Sequence, residues 1–313
     1  MPGGTTKTVV IGTRGSALAV WQAEWVRARL MERHPGLDVT LQRIKTSGDK
    51  MLDVSLAKIG GKGLFVKEIE DALLAGDIDL AVHSLKDVPT VLPEALEIVC
   101  VPAREDPRDA LVSRGDRGFD ALPAGARIGT SSLRRQAQLL HRRADLRIEL
   151  LRGNVETRLR KLREGAYDAI VLAAAGLQRL GWSDQVTEYL SFDVCLPAIG
   201  QGALGLEGRR DDAFIKKLVS GLEDVQTRIS VSAERALLDR LQGGCQVPIA
   251  AHATGQDGGL QLEGLVASLD GRRIVRDRVH GPAADARRLG VQLAERLLAQ
   301  GGGTILKEIY GEA

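Results

Sequence analysis

Aromatic residues are scarce in this chain, at 3% of 313 positions. Proteins that track single-stranded nucleic acid stack bases on aromatic platforms, so that class is disfavoured at the outset. Cysteine is nearly as rare. Cys100, Cys195 and Cys245 are three in all, an odd number without metal-ligand spacing, which argues against a disulfide framework and for a reducing compartment. The five histidines, His34, His83, His141, His252 and His280, are scattered with none paired at i, i+4, so no metal site is expected. No Gly-x-Ser-x-Gly elbow is present, which leaves a serine hydrolase unsupported. Nor is there a run of about 18 apolar residues, and "MPGGTTKTVVIGTR" holds no apolar stretch fit for a signal peptide. The expectation is a soluble, cytoplasmic protein that uses no membrane.

What is present is 44% hydrophobic sequence, enough for a core in each of two or three domains at this length. The net charge of +2 is unevenly laid out. Arg127 to Arg163 holds eleven Arg and Lys against Asp145, Glu149 and Glu156, so that segment is +8 and the remainder −6. Such a patch suits nucleic acid, a membrane surface or a small ligand with several carboxylates or phosphates. With no aromatics interleaved, the small polyanion gains ground.

From Thr8 to about Pro102, β-branched runs alternate with helical periods, the pattern of a doubly wound α/β unit. "TVVIG", "VTLQRIK", "IDLAVH" and "LEIVCVP" read as strands. The first helix is expected to bury Leu18, Trp21, Trp25 and Met31, and the second Phe65, Ile69, Ala72 and Leu73, with Gly76 as its stop. The alternation repeats from about Arg108 to Pro197. Ile11 to Ser16 and Ile128 to Leu133 place Gly-Thr and small hydroxyl residues between a strand and a helix, where free N–H groups would meet an anion. "ALGLEGRR" reads as a strand returning to the first lobe. After Asp224 a long helix, alternating strands and a closing helix form an α+β unit. The expected divisions are 1–102 with 203–222, then 103–202, then 223–313.

"GQGALG" at Gly200 to Gly205 matches a dinucleotide fingerprint but is followed by a strand instead of a helix, so it is rejected. "GGKG" at Gly60 to Gly63 lacks the ending of a phosphate loop. "HSLKDVPT" sets Lys86 and Asp87 at the carboxyl end of a strand, where open α/β sheets bind ligands; an exposed turn is the plainer reading. "TSSLRRQ" puts Arg134 and Arg135 in a helix's first turn, an unfavourable place for cations. "LRGNVETRLRKL" places Arg152 at a strand end and Arg158 one turn into a helix. With Arg14, these arginines imply a ligand with several carboxylates, which guanidinium forks match. Cys245, in "LQGGCQVP", follows two glycines that permit φ > 0 and close approach of a bulky group; it is either an ordinary loop cysteine or a thiol that carries something.

The stretches "GTRGSALA", "GGKGLFVKEIE", "AVHSLKDVPT", "REDPRDA", "GTSSLRRQAQL", "LRGNVETRL", "LAAAGLQRLG", "LPAIGQGALGLE" and "LQGGCQVPIAAHA" closely resemble the porphobilinogen deaminase (hydroxymethylbilane synthase) family. The resemblance runs nearly end to end. It implies two lobes like those of periplasmic binding proteins plus a smaller α+β C-terminal domain. It implies a dipyrromethane cofactor held on Cys245 through a thioether, in a monomeric enzyme. The implied reaction joins four porphobilinogen molecules head to tail with loss of ammonia, then frees hydroxymethylbilane by hydrolysis. Loss of ammonia leaves an electrophilic azafulvene that the terminal pyrrole attacks. Asp87 would stabilise the pyrrole N–H and cationic centre. Ser84, Lys86, Thr130, Ser132, Arg134 and Arg135 would hold the cofactor, and Arg14, Ser16, Arg152, Arg158, Arg179 and Gln201 the substrate or chain. Residues 49–63, with Lys58, Lys62 and Phe65, resemble the family's lid. The rival reading is a non-enzymatic two-lobed binder of polycarboxylates, which gives Cys245 and Asp87 no task.

Overall fold

The computed structural model describes residues 8–50, 66–244, 247–256 and 258–311. They divide into two compact units, the first of residues 8–50, 66–104 and 203–228, the second of residues 105–202 and 229–311.

In the first unit the β-branched runs form strands as expected: β1 (Thr8–Thr13), β2 (Asp38–Arg43), β3 (Leu80–Ser84) and β4 (Leu96–Cys100). The return strand β10 (Leu204–Arg209) completes the sheet in the order β2-β1-β3-β10-β4. β1 runs parallel to β2 and β3, whereas β10 is antiparallel to β3 and β4. Helix α1 (Ala17–Arg33) covers one face, a short turn α2 is Ser47–Lys50, and α3 (Lys67–Ala75) covers the other face with Ile69 and Leu73. Gly76 ends α3 at φ 79°, as its sequence position suggests. The expected face of α1 is corrected. Ala19, Gln22, Ala23, Val26 and Leu30 are buried, and Met31 is 42% exposed. Gln22 turns inward because its amide donates to Ser84 Oγ at 3.0 Å.

The second unit holds two sheets. One has the order β7-β6-β8-β5-β9, from β5 (Asp109–Ser113), β6 (Arg127–Gly129), β7 (Arg147–Glu149), β8 (Ala169–Ala173) and β9 (Glu188–Tyr189). Its three parallel strands and antiparallel β5 repeat the plan of the first sheet. Helices α4 (Leu133–Arg142), α5 (Val155–Arg163) and α6 (Ala174–Arg179) follow β6, β7 and β8, as α/β crossovers require. α7 (Ala213–Val219) belongs to the first unit, and α8 (Val225–Arg240) leads on to the third sheet.

That sheet is an antiparallel meander of β11 (Ile249–Gln256), β12 (Gly259–Ala267) and β13 (Ile274–Pro282), backed by α8, α9 (Ala286–Leu297) and α10 (Gly303–Tyr310). Alanine-rich β11 has weak strand propensity, and its pairing with β12 makes it a strand. The meander is docked on α4. Gln136 Nε2 donates to Leu269 O at 3.0 Å, and His141 Nδ1 lies 2.8 Å from Gly271 O. Gly271 has φ 72°, and a Cβ there would meet Ala137 O at 2.3 Å.

Candidate functional site

In the first unit the candidate residues lie at the carboxyl ends of parallel strands. Arg14 follows β1, and Ser16 caps α1, its Oγ accepting from Ala19 N at 3.3 Å. Asp87 closes a 3₁₀ turn, Leu85–Asp87, directly after β3. Leu85 N donates to Ala203 O at 3.0 Å, and Ser84 is held from α1 by Gln22, so the turn is fixed by its backbone and its flank. Asp87 itself is half-buried and accepts no hydrogen bond among the described residues. Such a carboxylate is available to an N–H donor from outside the protein. Beneath this turn, His83 Nε2 lies 2.9 Å from Glu207 Oε2, and both side chains are buried.

The second unit repeats the arrangement at β6. Thr130 Oγ1 accepts from Ser132 N at 3.2 Å, and Ser132 Oγ caps α4 by accepting from Arg135 N at 3.4 Å. The matching Gly-Thr signatures in the two lobes are thus matching helix caps. Ser131 Oγ donates to Leu151 O, and Thr130 N to Glu149 O at 3.0 Å, which stitches the loop after β6 to the loop after β7.

Arg134 and Arg135 are buried, and an acid the sequence did not single out explains why they can be. Asp109, at the start of β5, is 0% exposed. Its carboxylate accepts from Arg134 Nη1 at 2.7 Å and from Arg135 Nε and Nη2 at 3.0 and 2.7 Å. Gln201 Nε2 and Cys195 Sγ donate to it at 2.9 and 3.1 Å. Burial works to raise the pKa of Asp109, but the two guanidinium charges and their hydrogen bonds outweigh it and hold the carboxyl well below the usual range. The helix-start penalty for these cations is answered by this carboxylate. Gln201 also donates to Pro107 O at 2.7 Å, so its amide is engaged within the protein.

Arg134 and Arg152 have donors to offer. Arg134 Nη1 is taken by Asp109 and Leu196 O, yet its Nε and Nη2 meet no partner among the described residues. Arg152 Nε and Nη2 are buried and likewise unpartnered. In both, Nε and Nη2 form the side-on fork that grips a carboxylate in bidentate fashion. Arg158 instead turns Nε to Gly153 O at 2.8 Å. Arg179 Nη2 donates to Gly202 O at 2.6 Å, and burial brings its pKa down to about 10.

Of the described cysteines, Cys100 and Cys195 are buried, and each thiol is pushed up to about 12, chiefly by burial. Neither has the lowered pKa of a nucleophile. Cys245, Lys58, Lys62 and Phe65 lie outside the described residues. The glycines before Cys245 differ from expectation, since neither has positive φ. A Cβ on Gly243 would come within 2.6 Å of Leu238 and Ile249, so close packing requires that glycine, whereas Gly244 faces open space. The left-handed residue is Gln242, at φ 51°. Among the described residues no group of His, Cys, Asp or Glu is arranged to hold a metal ion, and no helix is long and apolar enough to cross a membrane.

Residues 9–217 match the family model described as "Porphobilinogen deaminase, dipyromethane cofactor binding domain", and residues 228–299 match that of the "Porphobilinogen deaminase, C-terminal domain". The porphobilinogen deaminase of Syntrophotalea carbinolica is 62% identical over 296 residues, 95% of this chain and 94% of that protein. That of Pelobacter propionicus is 58% identical over 300 residues, 96% of both chains. Among solved structures, a probable amino-acid ABC transporter extracellular-binding protein of Bacillus subtilis is 10% identical with a TM-score of 0.42, covering 70% of this chain and 90% of that one.

Proposed function

Because the chain belongs to the porphobilinogen deaminase family, we propose that it condenses four porphobilinogen molecules into hydroxymethylbilane in tetrapyrrole biosynthesis, with release of ammonia. Support for this reading on this chain comes above all from Arg152, whose buried Nε and Nη2 have no partner among the described residues. A buried guanidinium edge without an acceptor is unfavourable unless a ligand supplies one. Arg134 also has an Nε–Nη2 fork that meets no partner among the described residues. Both fit a dipyrromethane, which bears an acetate and a propionate on each ring. A non-enzymatic binder would use the same forks but leaves the Asp87 carboxylate idle.

The proposed division of labour follows the placement of the side chains. Attached to Cys245, the dipyrromethane supplies the pyrrole carbon from which the chain is extended. Arg134 and Arg152 bind carboxylates through their forks, with Thr130 and Ser132 fixing the loops of the second unit, while Ser84, Lys86, Arg14 and Ser16 offer charge and donors on the first unit. Asp87 accepts a pyrrole N–H, balances positive charge that develops on the ring and takes up a proton. Arg135, Arg158, Arg179 and Gln201 contribute through the backbone they hold as much as through any ligand. Three functional parts are proposed: residues 1–102 with 203–222, residues 103–202 and residues 223–313. The enzyme acts as a cytoplasmic monomer.

Intact mass spectrometry of the purified chain beside Cys245→Ala tests the reading. The expected result is an excess mass of one dipyrromethane, present or acquired on adding porphobilinogen, that the variant lacks. A chain that neither carries nor gains this mass, and releases no ammonia from porphobilinogen, is a binder and not this enzyme.

A further inference from the structure

Two cations side by side in the first turn of a helix repel each other and the helix dipole. Asp109 resolves both conflicts at once. Its Oδ1 takes the whole fork of Arg135, along with the Gln201 amide. Its Oδ2 takes one nitrogen of Arg134 and the Cys195 thiol. Arg135 Nη1 is then tied to Val171 O at 2.9 Å, and Arg134 Nη1 to Leu196 O at 2.7 Å. Among the described residues every side-chain bond of Arg134 falls on Nη1, so the guanidinium is gripped at one corner while its Nε–Nη2 edge meets no partner there.

We propose that Asp109 is a positioning residue of the anion site, a buried carboxylate that sets Arg135 as a brace and presents the Nε–Nη2 edge of Arg134 to a ligand carboxylate. This rests on the reading of the chain as a porphobilinogen deaminase. Asp109 touches no ligand, since it is wholly buried. Its task is geometric: a freely rotating guanidinium must be ordered by the ligand at the moment of binding, and one already held by its far corner need not be.

The test follows dipyrromethane acquisition by the full-length chain, read as intact mass against time over a range of porphobilinogen concentrations. Asp109→Asn keeps the size and one acceptor oxygen but removes the charge. Asp109→Glu keeps the charge and displaces it by one methylene. The expected result is a rise of about tenfold or more in the porphobilinogen concentration that half-saturates loading of Asp109→Asn, with a smaller rise for Asp109→Glu. A residue that only holds the fold would lower the loadable fraction and leave that concentration unmoved, and such an outcome in the variants overturns the proposal. Should Asp109→Asn fail to fold, Asp109→Glu decides by the same reading. Wild-type chain that gains no mass overturns the functional reading instead, so the two failures are distinct.

Discussion

Glu234→Gln is a stringent test of how the second unit holds its loops. Glu234 lies on α8 with 0% exposure. One carboxylate oxygen accepts from Gly200 N at 2.7 Å, the other from Ala253 N at 2.9 Å, so one side chain joins the loop before β10 to strand β11. Glutamine has the same shape but a single acceptor. One N–H keeps its bond, weakened by loss of the charge, and the other faces an NH₂ donor. A charge-assisted bond is worth about 1.5–3 kcal/mol and a stranded buried N–H costs about 1–3 kcal/mol. Relief of a buried charge offsets part of this, leaving a net loss of about 2–4 kcal/mol. At roughly 2 °C per kcal/mol for a chain of this size, Tm should fall by about 4–8 °C. Calorimetry at one scan rate and protein concentration, with urea midpoints alongside, reads the effect. A Tm within about 1 °C of wild type would refute the reasoning, because two backbone donors cannot lose a shared carboxylate unnoticed. Gly200 precedes Gln201, which bonds Asp109, so slower cofactor loading at temperatures where the variant is folded is expected as well.

Two further perturbations test other parts of the fold. Gly202 has φ 87°, and a Cβ there would lie 2.4 Å from Glu105 O, so Gly202→Ala should lower stability by about 1–3 kcal/mol, read as a Tm several degrees lower; an unchanged melt would show that this backbone can relax. Glu70 has its pKa raised, first by burial and then by the charge of Glu207. A raised carboxyl favours the fold while protonated, and that contribution fades as pH climbs through the folded pKa, so Glu70→Gln should melt higher than wild type at pH 8 and equally at pH 4. Equal melts at both pH values would remove the electrostatic account.

Much of this was legible in the sequence because local chemistry and tertiary structure agree there. "TVVIG" is β1, Gly76 ends α3, and Ser16 and Ser132 cap the helices that follow the two Gly-Thr signatures. The face of α1 was misread because its large apolar residues suggest one stripe while a tertiary bond pulls Gln22 inward. Strand β11 was not named from the sequence because "IAAHATGQ" has no alternation of bulky apolar residues, and pairing with β12 makes it a strand. Asp109 was not singled out, although "REDPRDA" is one of the stretches that carry the resemblance. A signal was available nonetheless: a segment with eleven cations and three acids needs counter-charge from outside itself, and Asp109 opens the apolar strand "DALVS".

The same logic explains why the buried acids sit where they do. In the order β2-β1-β3-β10-β4 and in the order β7-β6-β8-β5-β9, the antiparallel fourth strands are β10 and β5. Each carries a wholly buried carboxylate, Glu207 on β10 and Asp109 on β5. Each meets cationic or protonatable side chains near the carboxyl end of a parallel strand, His83 on β3 for the first and Arg134 and Arg135 after β6 for the second. Asp109 opens β5 opposite Ala173, the last residue of β8, and so stands where the loops after the parallel strands begin, whereas Glu207 lies further along β10, opposite Ala81. A buried pair of cations such as Arg134 and Arg135 needs negative charge close behind it, out of reach of solvent. In each sheet the antiparallel fourth strand is the one that carries this buried carboxylate.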